Sequence, residues 1–193
     1  MKNKKTFFII ALVFVLLIGG ATVLYRQLGK NIAAEQLATQ STNQSDESAA
    51  GETEQKIKAP DFTVYDADGN EVHLADYIGK PIVLNFWASW CGPCQSEMPD
   101  FHEKYLELGD DVHFLMINMT DGARETAESA SAFIAKNGYA FPVFYDTKSD
   151  AASIYGAYSL PTTFFIDADG YAIAQATGAI DAETLQRGLD MIK

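Results

Sequence analysis

The sequence predicts an α/β domain built on a mixed central sheet with flanking helices, preceded by one membrane-spanning segment. Three observations carry this. From Ala59 to Lys193, short apolar or alternating runs recur between stretches of helical composition and finish in a hairpin and a helix, the order of elements expected of a sheet covered by helices. One run, Pro81-Ile-Val-Leu-Asn-Phe-Trp87, is apolar almost throughout, as a strand buried on both faces requires. Two Asp-Gly pairs, Asp68-Gly69 and Asp169-Gly170, stand between such runs and mark tight turns.

The elements follow in order. Thr6 to Tyr25 is an unbroken uncharged stretch between Lys5 and Arg26; as a helix it would cover ~30 Å, the thickness of a bilayer core. It reads as an uncleaved anchor. Gly19 and Ala21 can also be placed at −3 and −1 of a signal-peptide cleavage site, which keeps a cleaved signal as the alternative. Lys2, Lys4 and Lys5 with the α-amino group outweigh Arg26 and Lys30, so residues 1–5 are expected in the cytoplasm and the remainder outside. Residues 26–58 are rich in Ala, Gln, Ser, Thr and Glu, with no aromatic between Tyr25 and Phe62. Such a segment buries too little apolar surface to offset its ordering entropy, and reads as a flexible tether with a reach of roughly 30 Å.

Residues 59–193 form the folded domain. Phe62–Tyr65 and Val72–Leu74 make a hairpin around Asp68-Gly69. After the buried strand ending at Trp87 comes a helix from about Pro93 to Leu108, a strand over Val112–Asn118, and an alanine-rich helix over Ala123–Lys136 closed by Asn137-Gly138. Phe141–Tyr145 is a short strand and Ser149–Tyr155 a short helix. Thr162–Ile166 and Tyr171–Thr177 form the second hairpin, and Asp181 caps a last helix that runs to Ile192.

Charge narrows the function. The chain carries 14 Lys and Arg against 26 Asp and Glu, a net charge of −12, the wrong sign for a nucleic-acid partner. Cys91 and Cys94 are its two cysteines, too few for a disulfide-stapled scaffold. A zinc ribbon would need a second ligand pair, which His73, His102 and His113 do not supply. No cofactor is expected.

Trp90-Cys91-Gly92-Pro93-Cys94 stands where the buried strand hands over to a helix. At a helix start, unpaired N–H groups and the macrodipole favour a thiolate over a thiol, which makes Cys91 the nucleophile. Pro93 suits the first turn because it has no N–H to leave unpaired. Cys94 lies one helical turn on, within disulfide reach, and resolves. A purely structural bridge closing so short a loop would be worth on the order of 2 kcal/mol, at a corner that packing already holds. A redox-active dithiol is the better reading.

The segment LNFWASWCGPCQSEMPDF, preceded by APDF and YIGKPI and followed by LPTTFFIDADG, resembles the membrane-tethered thioredoxin-like proteins of the TlpA/ResA kind. These are thiol–disulfide oxidoreductases that face away from the cytoplasm. The resemblance covers about Ala59 to the C-terminus. It implies a thioredoxin fold with an added N-terminal hairpin and a central insertion near Ala123–Tyr145. It also implies a monomer acting on disulfide-bearing clients, with a membrane thiol transporter of the CcdA or DsbD type as electron donor.

At single positions the resemblance implies more. Leu160-Pro161 matches the family's cis-proline loop facing the dithiol, where an extended substrate pairs as an added strand. Glu97, on the helix face of Cys94, matches a glutamate that tunes the thiols and moves protons. Asn85 stands where cytoplasmic thioredoxin has a titratable aspartate, so Glu97 is expected to take over that task. Trp90 is expected at the rim of the site and Trp87 in the core. Gly92-Pro93 matches strongly reducing thioredoxin, whereas other members of the group often carry a different residue at the first of these positions.

Three rival readings fit the sequence less well. Peroxiredoxins share APDF and the Gly-Lys before the buried strand, but place a Pro-x-x-x-Thr-x-x-Cys signature where this chain has Cys91 at the threonine position and no such proline. A metal-delivery protein on this fold would use a distant downstream histidine, whereas the last histidine is His113. A non-catalytic binding module would lack the intact Trp-Cys-x-x-Cys.

Overall fold

The computed structural model describes residues 37–39 and 56–193 of the chain. Its strands are β1 (Leu37–Thr39), β2 (Ile57–Lys58), β3 (Thr63–Tyr65), β4 (Glu71–His73), β5 (Ile82–Trp87), β6 (His113–Asn118), β7 (Val143–Tyr145), β8 (Thr162–Ile166) and β9 (Tyr171–Thr177). Its helices are α1 (Gly92–Leu108), α2 (Ala127–Asn137), α3 (Asp150–Tyr155) and α4 (Ala182–Ile192), with a 3₁₀ turn at Leu74–Tyr77. The strands form one mixed sheet in the order β1-β9-β8-β5-β6-β7-β3-β4, with β2 also on β9. β5, β6 and β7 run parallel, and their neighbours run antiparallel to them.

All six residues of β5 are buried, because both faces of the sheet are covered. On one face Val83, Trp87, Met116 and Phe165 pack with Met98 and Phe101 of α1 and with Leu185 and Leu189 of α4. On the other, Ile82, Leu84, Phe86 and Ile117 pack with Phe62, Val64, Leu74 and Ala151. Strand alternation puts Asn85 on the face of Val83 and Trp87, toward α1. It is the polar residue in an otherwise apolar strand, and the active site grows from it.

Both hairpins form where expected. Gly69 and Gly170 hold positive φ of 83° and 82°, the left-handed backbone that such turns require. A Cβ on Gly170 would also come within 2.9 Å of Ile78 Cδ1. Asp181 caps α4 by accepting from the Thr184 N–H at 2.8 Å.

Two expectations change. The alanine-rich helix starts at Ala127 rather than Ala123, because Asp121 Oδ1 accepts from the N–H groups of Ala123, Arg124 and Glu125 at 2.7–2.9 Å and holds them in a loop. Thr126 and Ser129 then form the capping box that opens α2. The second change falls in the stretch read as a tether, where Leu37–Thr39 pairs antiparallel with Ala174–Ala176 and Ile57–Lys58 with Tyr171–Ala172. A composition argument measures how much apolar area a segment brings. It does not see the open edge of β9, whose unpaired N–H and C=O groups recruit a strand. The anchor expected at residues 6–25 lies outside the described residues. Among those described, no helix is long and apolar enough to cross a membrane.

Candidate active site

β5 ends at Trp87 and feeds a short loop, in which the Cys91 N–H bonds the Ala88 carbonyl at 3.1 Å. Cys91 is the N-cap of α1, with extended backbone (φ −81°, ψ 105°), and its Sγ accepts from the Cys94 N–H at 3.2 Å. The sulfur therefore takes one of the orphan donors of the helix start, the environment that favours a thiolate once the pair is reduced. Cys91 and Cys94 are bridged, with Cα atoms 5.2 Å apart. They differ in access: Cys91 lines an open groove, whereas Cys94 is wholly buried behind it.

The groove has a volume of about 470 Å³. Trp90, Cys91 and Pro93 line it together with Arg124, Tyr158 and Leu160. Trp90 is 40% exposed and Tyr158 81%, a large apolar and aromatic surface beside a reactive sulfur. The Arg124 guanidinium lies 3.5 Å from the centre of the Trp90 ring, a cation–π contact that restrains the half-exposed indole. Trp87 is fully buried in the core.

The Leu160–Pro161 peptide bond is cis. Leu160 borders the groove, while Pro161 is buried and its carbonyl accepts from the Gly178 N–H at 2.8 Å. The face offered to a ligand is therefore that of Leu160.

Beneath the dithiol lies Glu97, only 2% exposed. Its Oε1 accepts from Asn85 Nδ2 at 2.9 Å and its Oε2 from the Ile180 N–H at 3.0 Å. Burial pushes its pKa up to about 7 against the opposing pull of those two donors, and Asp100 raises it further. The carboxyl thus titrates near neutrality, where a group that exchanges protons with a thiol is most useful.

Four residues around the site went unnoticed in the sequence. Arg124 and Tyr158 shape the groove, and Asp121 folds the loop that carries Arg124. Glu125 is fully buried; it accepts from the Ser89 N–H at 2.9 Å, the Ser89 hydroxyl at 2.7 Å and Asn118 Nδ2 at 2.7 Å. It ties the loop after β6 to the loop leading into Trp90 and Cys91. The Asp121-Gly122 pair was a usable turn signal. Glu125 gave none, since a glutamate in an alanine-rich stretch looks like the wet side of a helix.

Residues 56–174 match the AhpC/TSA family. The thiol-disulfide oxidoreductase ResA of Geobacillus thermodenitrificans (strain NG80-2) is 37% identical over 136 residues, which cover 70% of this chain and 76% of that protein. Among solved structures, a putative thiol:disulfide interchange protein DsbE from Chlorobium tepidum superposes with a TM-score of 0.63 at 30% identity, over 72% of this chain and 97% of that one. StoA from Bacillus subtilis gives 0.58 at 26% identity, over 67% and 96%.

Proposed function

Since the chain belongs to the AhpC/TSA family and is a thiol-disulfide oxidoreductase, we propose that it reduces disulfides of client proteins outside the cytoplasm. Its sheet and covering helices are the thioredoxin-like fold. The observation that carries the proposal is the asymmetry of the cysteines, one at an open groove and one sealed behind it.

In the reduced protein the Cys91 thiolate attacks one sulfur of a client disulfide, and the other client sulfur leaves as a thiolate that takes a proton. Cys94 then loses its proton and attacks Cys91 Sγ, which closes the bridge seen here and releases the second client thiol. Two electrons pass from the dithiol to the client. Glu97 accepts the Cys94 proton, a role supported by its burial one helical turn away and its titration near pH 7. A client segment extends along Leu160 and packs on Trp90 and Pro93.

Gly92-Pro93 supports the reducing direction, since thioredoxin shares it and has a potential near −270 mV, against about −120 mV for the oxidant DsbA. Outside the cytoplasm no glutathione pool reliably restores such a dithiol, so electrons arrive through a membrane thiol transporter of the CcdA or DsbD type. Residues 6–25 anchor the chain with its amino end in the cytoplasm, so that the domain meets donor and client on one membrane surface. Insulin reduction with dithiothreitol tests the activity. The protein accelerates it, Cys91→Ser abolishes it, and Cys94→Ser accumulates covalent adducts. Consumption of hydrogen peroxide without insulin reduction would favour a peroxidase instead.

A further inference from the structure

Asn85 is fully buried, and its side-chain nitrogen donates both to Glu97 Oε1 at 2.9 Å and to Thr163 Oγ1 at 3.0 Å. Its side-chain oxygen is buried without a partner. Glu97 Oε2 is held by the Ile180 backbone N–H at 3.0 Å. Both oxygens of Glu97 are therefore met by donors, an arrangement that suits an ionised carboxylate best, because it accepts through both oxygens and donates through neither. When Glu97 takes a proton, the Ile180 N–H cannot turn away, so the hydrogen must go on Oε1. There it would face the hydrogens of Asn85 Nδ2.

A half-turn of the Asn85 amide removes this conflict. Its nitrogen and oxygen are nearly equal in size, and the turn moves the nitrogen to the buried place where Oδ1 has no partner among the described residues. The oxygen then accepts from Glu97 Oε1–H and from the Thr163 hydroxyl, and both bonds have reversed direction. We propose that Asn85 is a positioning residue whose amide turns over with the proton on Glu97, and so holds that side chain in one place in both of its charge states. The inference rests on the reading of Glu97 as the proton acceptor beside Cys94. The amide carries no net proton; the proton leaves Cys94, rests on Glu97 and returns to solvent or the departing client thiolate.

The surroundings keep this exchange local. Asn85 of β5 bonds Glu97, and Thr163 of β8 bonds Asn85; neither side chain titrates. α1 contributes the two cysteines and Asp100, whose charge favours the protonated form. The lead into α4 contributes the Ile180 N–H and next to it Asp181, whose carboxyl its bonds to Thr184 hold below the usual range.

The test is side-chain amide NMR of the full-length chain labelled at asparagine, followed from about pH 5 to about pH 9 beside the Glu97 carboxyl carbon. Above the Glu97 midpoint the Asn85 NH₂ protons should show a cross-relaxation peak to the Thr163 methyl. Below it the peak should vanish with the same midpoint. In Glu97→Gln, which presents an NH₂ to Asn85 at every pH, the peak should be absent throughout. Asn85→Ala should move the pH midpoint for mixed-disulfide release by less than about one unit, because the donor to the carboxylate and the acceptor for the acid are lost together. A rise of a full unit, tenfold in proton affinity, would mark a fixed donor and overturn the turning amide. An amide that keeps its neighbours while Glu97 titrates overturns this inference alone. A Glu97 that holds one charge state over the whole range overturns the proton-acceptor reading as well.

Discussion

Glu97→Gln should stabilise the oxidised protein at and above neutral pH, and this advantage should fade in acid. The carboxyl of Glu97 titrates at 4.5 in an ordinary setting and at about 7 in the fold, raised chiefly by burial. A raised carboxyl contributes its full share of stability below the unfolded value and loses it as pH rises through the folded one. Between these limits the unfolded chain gives up the proton more readily, so native stability falls by about 1.4 kcal/mol per pH unit. Over a shift from 4.5 to about 7 the loss reaches about 3 kcal/mol and then levels off. Glutamine cannot ionise. Its oxygen can keep the Ile180 N–H, and its nitrogen can donate to Asn85 Oδ1 once that amide has turned over. The difference between variant and parent in urea unfolding, taken at several pH values, isolates this one group because the other titrations cancel. It should open above about pH 4.5 and flatten beyond about pH 7. A difference that is constant with pH, or that widens toward acid, would mean that folding does not raise the Glu97 pKa.

Three further outcomes are expected. Gly188→Ala puts a Cβ 2.2 Å from the Phe165 ring at the α4–β8 contact, and calorimetry should show a loss of about 1–3 kcal/mol from overpacking; an unchanged melting temperature would mean that the helix sits farther from the sheet. Glu125→Gln replaces one acceptor oxygen of a group that takes three hydrogen bonds. It should cost about 1–3 kcal/mol and slow thiol exchange by loosening the loop into Cys91, read by thermal melting and a single-turnover insulin assay. Protease added outside intact spheroplasts should release a soluble fragment beginning beyond about residue 30, in the polar stretch where nicking concentrates; a mature secreted protein that starts at Thr22 would contradict the anchor.

The parts of the molecule legible in the sequence are those where chemistry and conformation coincide locally. Asp68-Gly69 and Asp169-Gly170 announce their turns because the glycine must adopt positive φ. The run before Trp87 announces a strand buried on both sides. Trp90-Cys91-Gly92-Pro93-Cys94 announces its chemistry through a spacing that joins two sulfurs across one helical turn. What stayed hidden depends on partners distant along the chain. Leu37–Thr39 is a strand because β9 presents an open edge. Ala123–Glu125 is a loop because one carboxylate of Asp121 collects three backbone N–H groups. Arg124 reaches Trp90 across the groove, and the burial of Glu125 follows from Ser89, 36 residues earlier. The pairing of Asn85 with Glu97 was half visible: the sequence shows a polar residue in an apolar strand and a glutamate near Cys94. Only the fold brings them to 2.9 Å.

Whether Cys91 and Cys94 form a reductant is read from the equilibrium potential of that couple. Full-length protein equilibrated in defined dithiothreitol buffers, with the bridged fraction read by thiol alkylation, should give a value near −270 mV, as expected of a dithiol that spans Gly-Pro at a helix start. A value above about −180 mV, in the range of an isomerase, would contradict the reducing role.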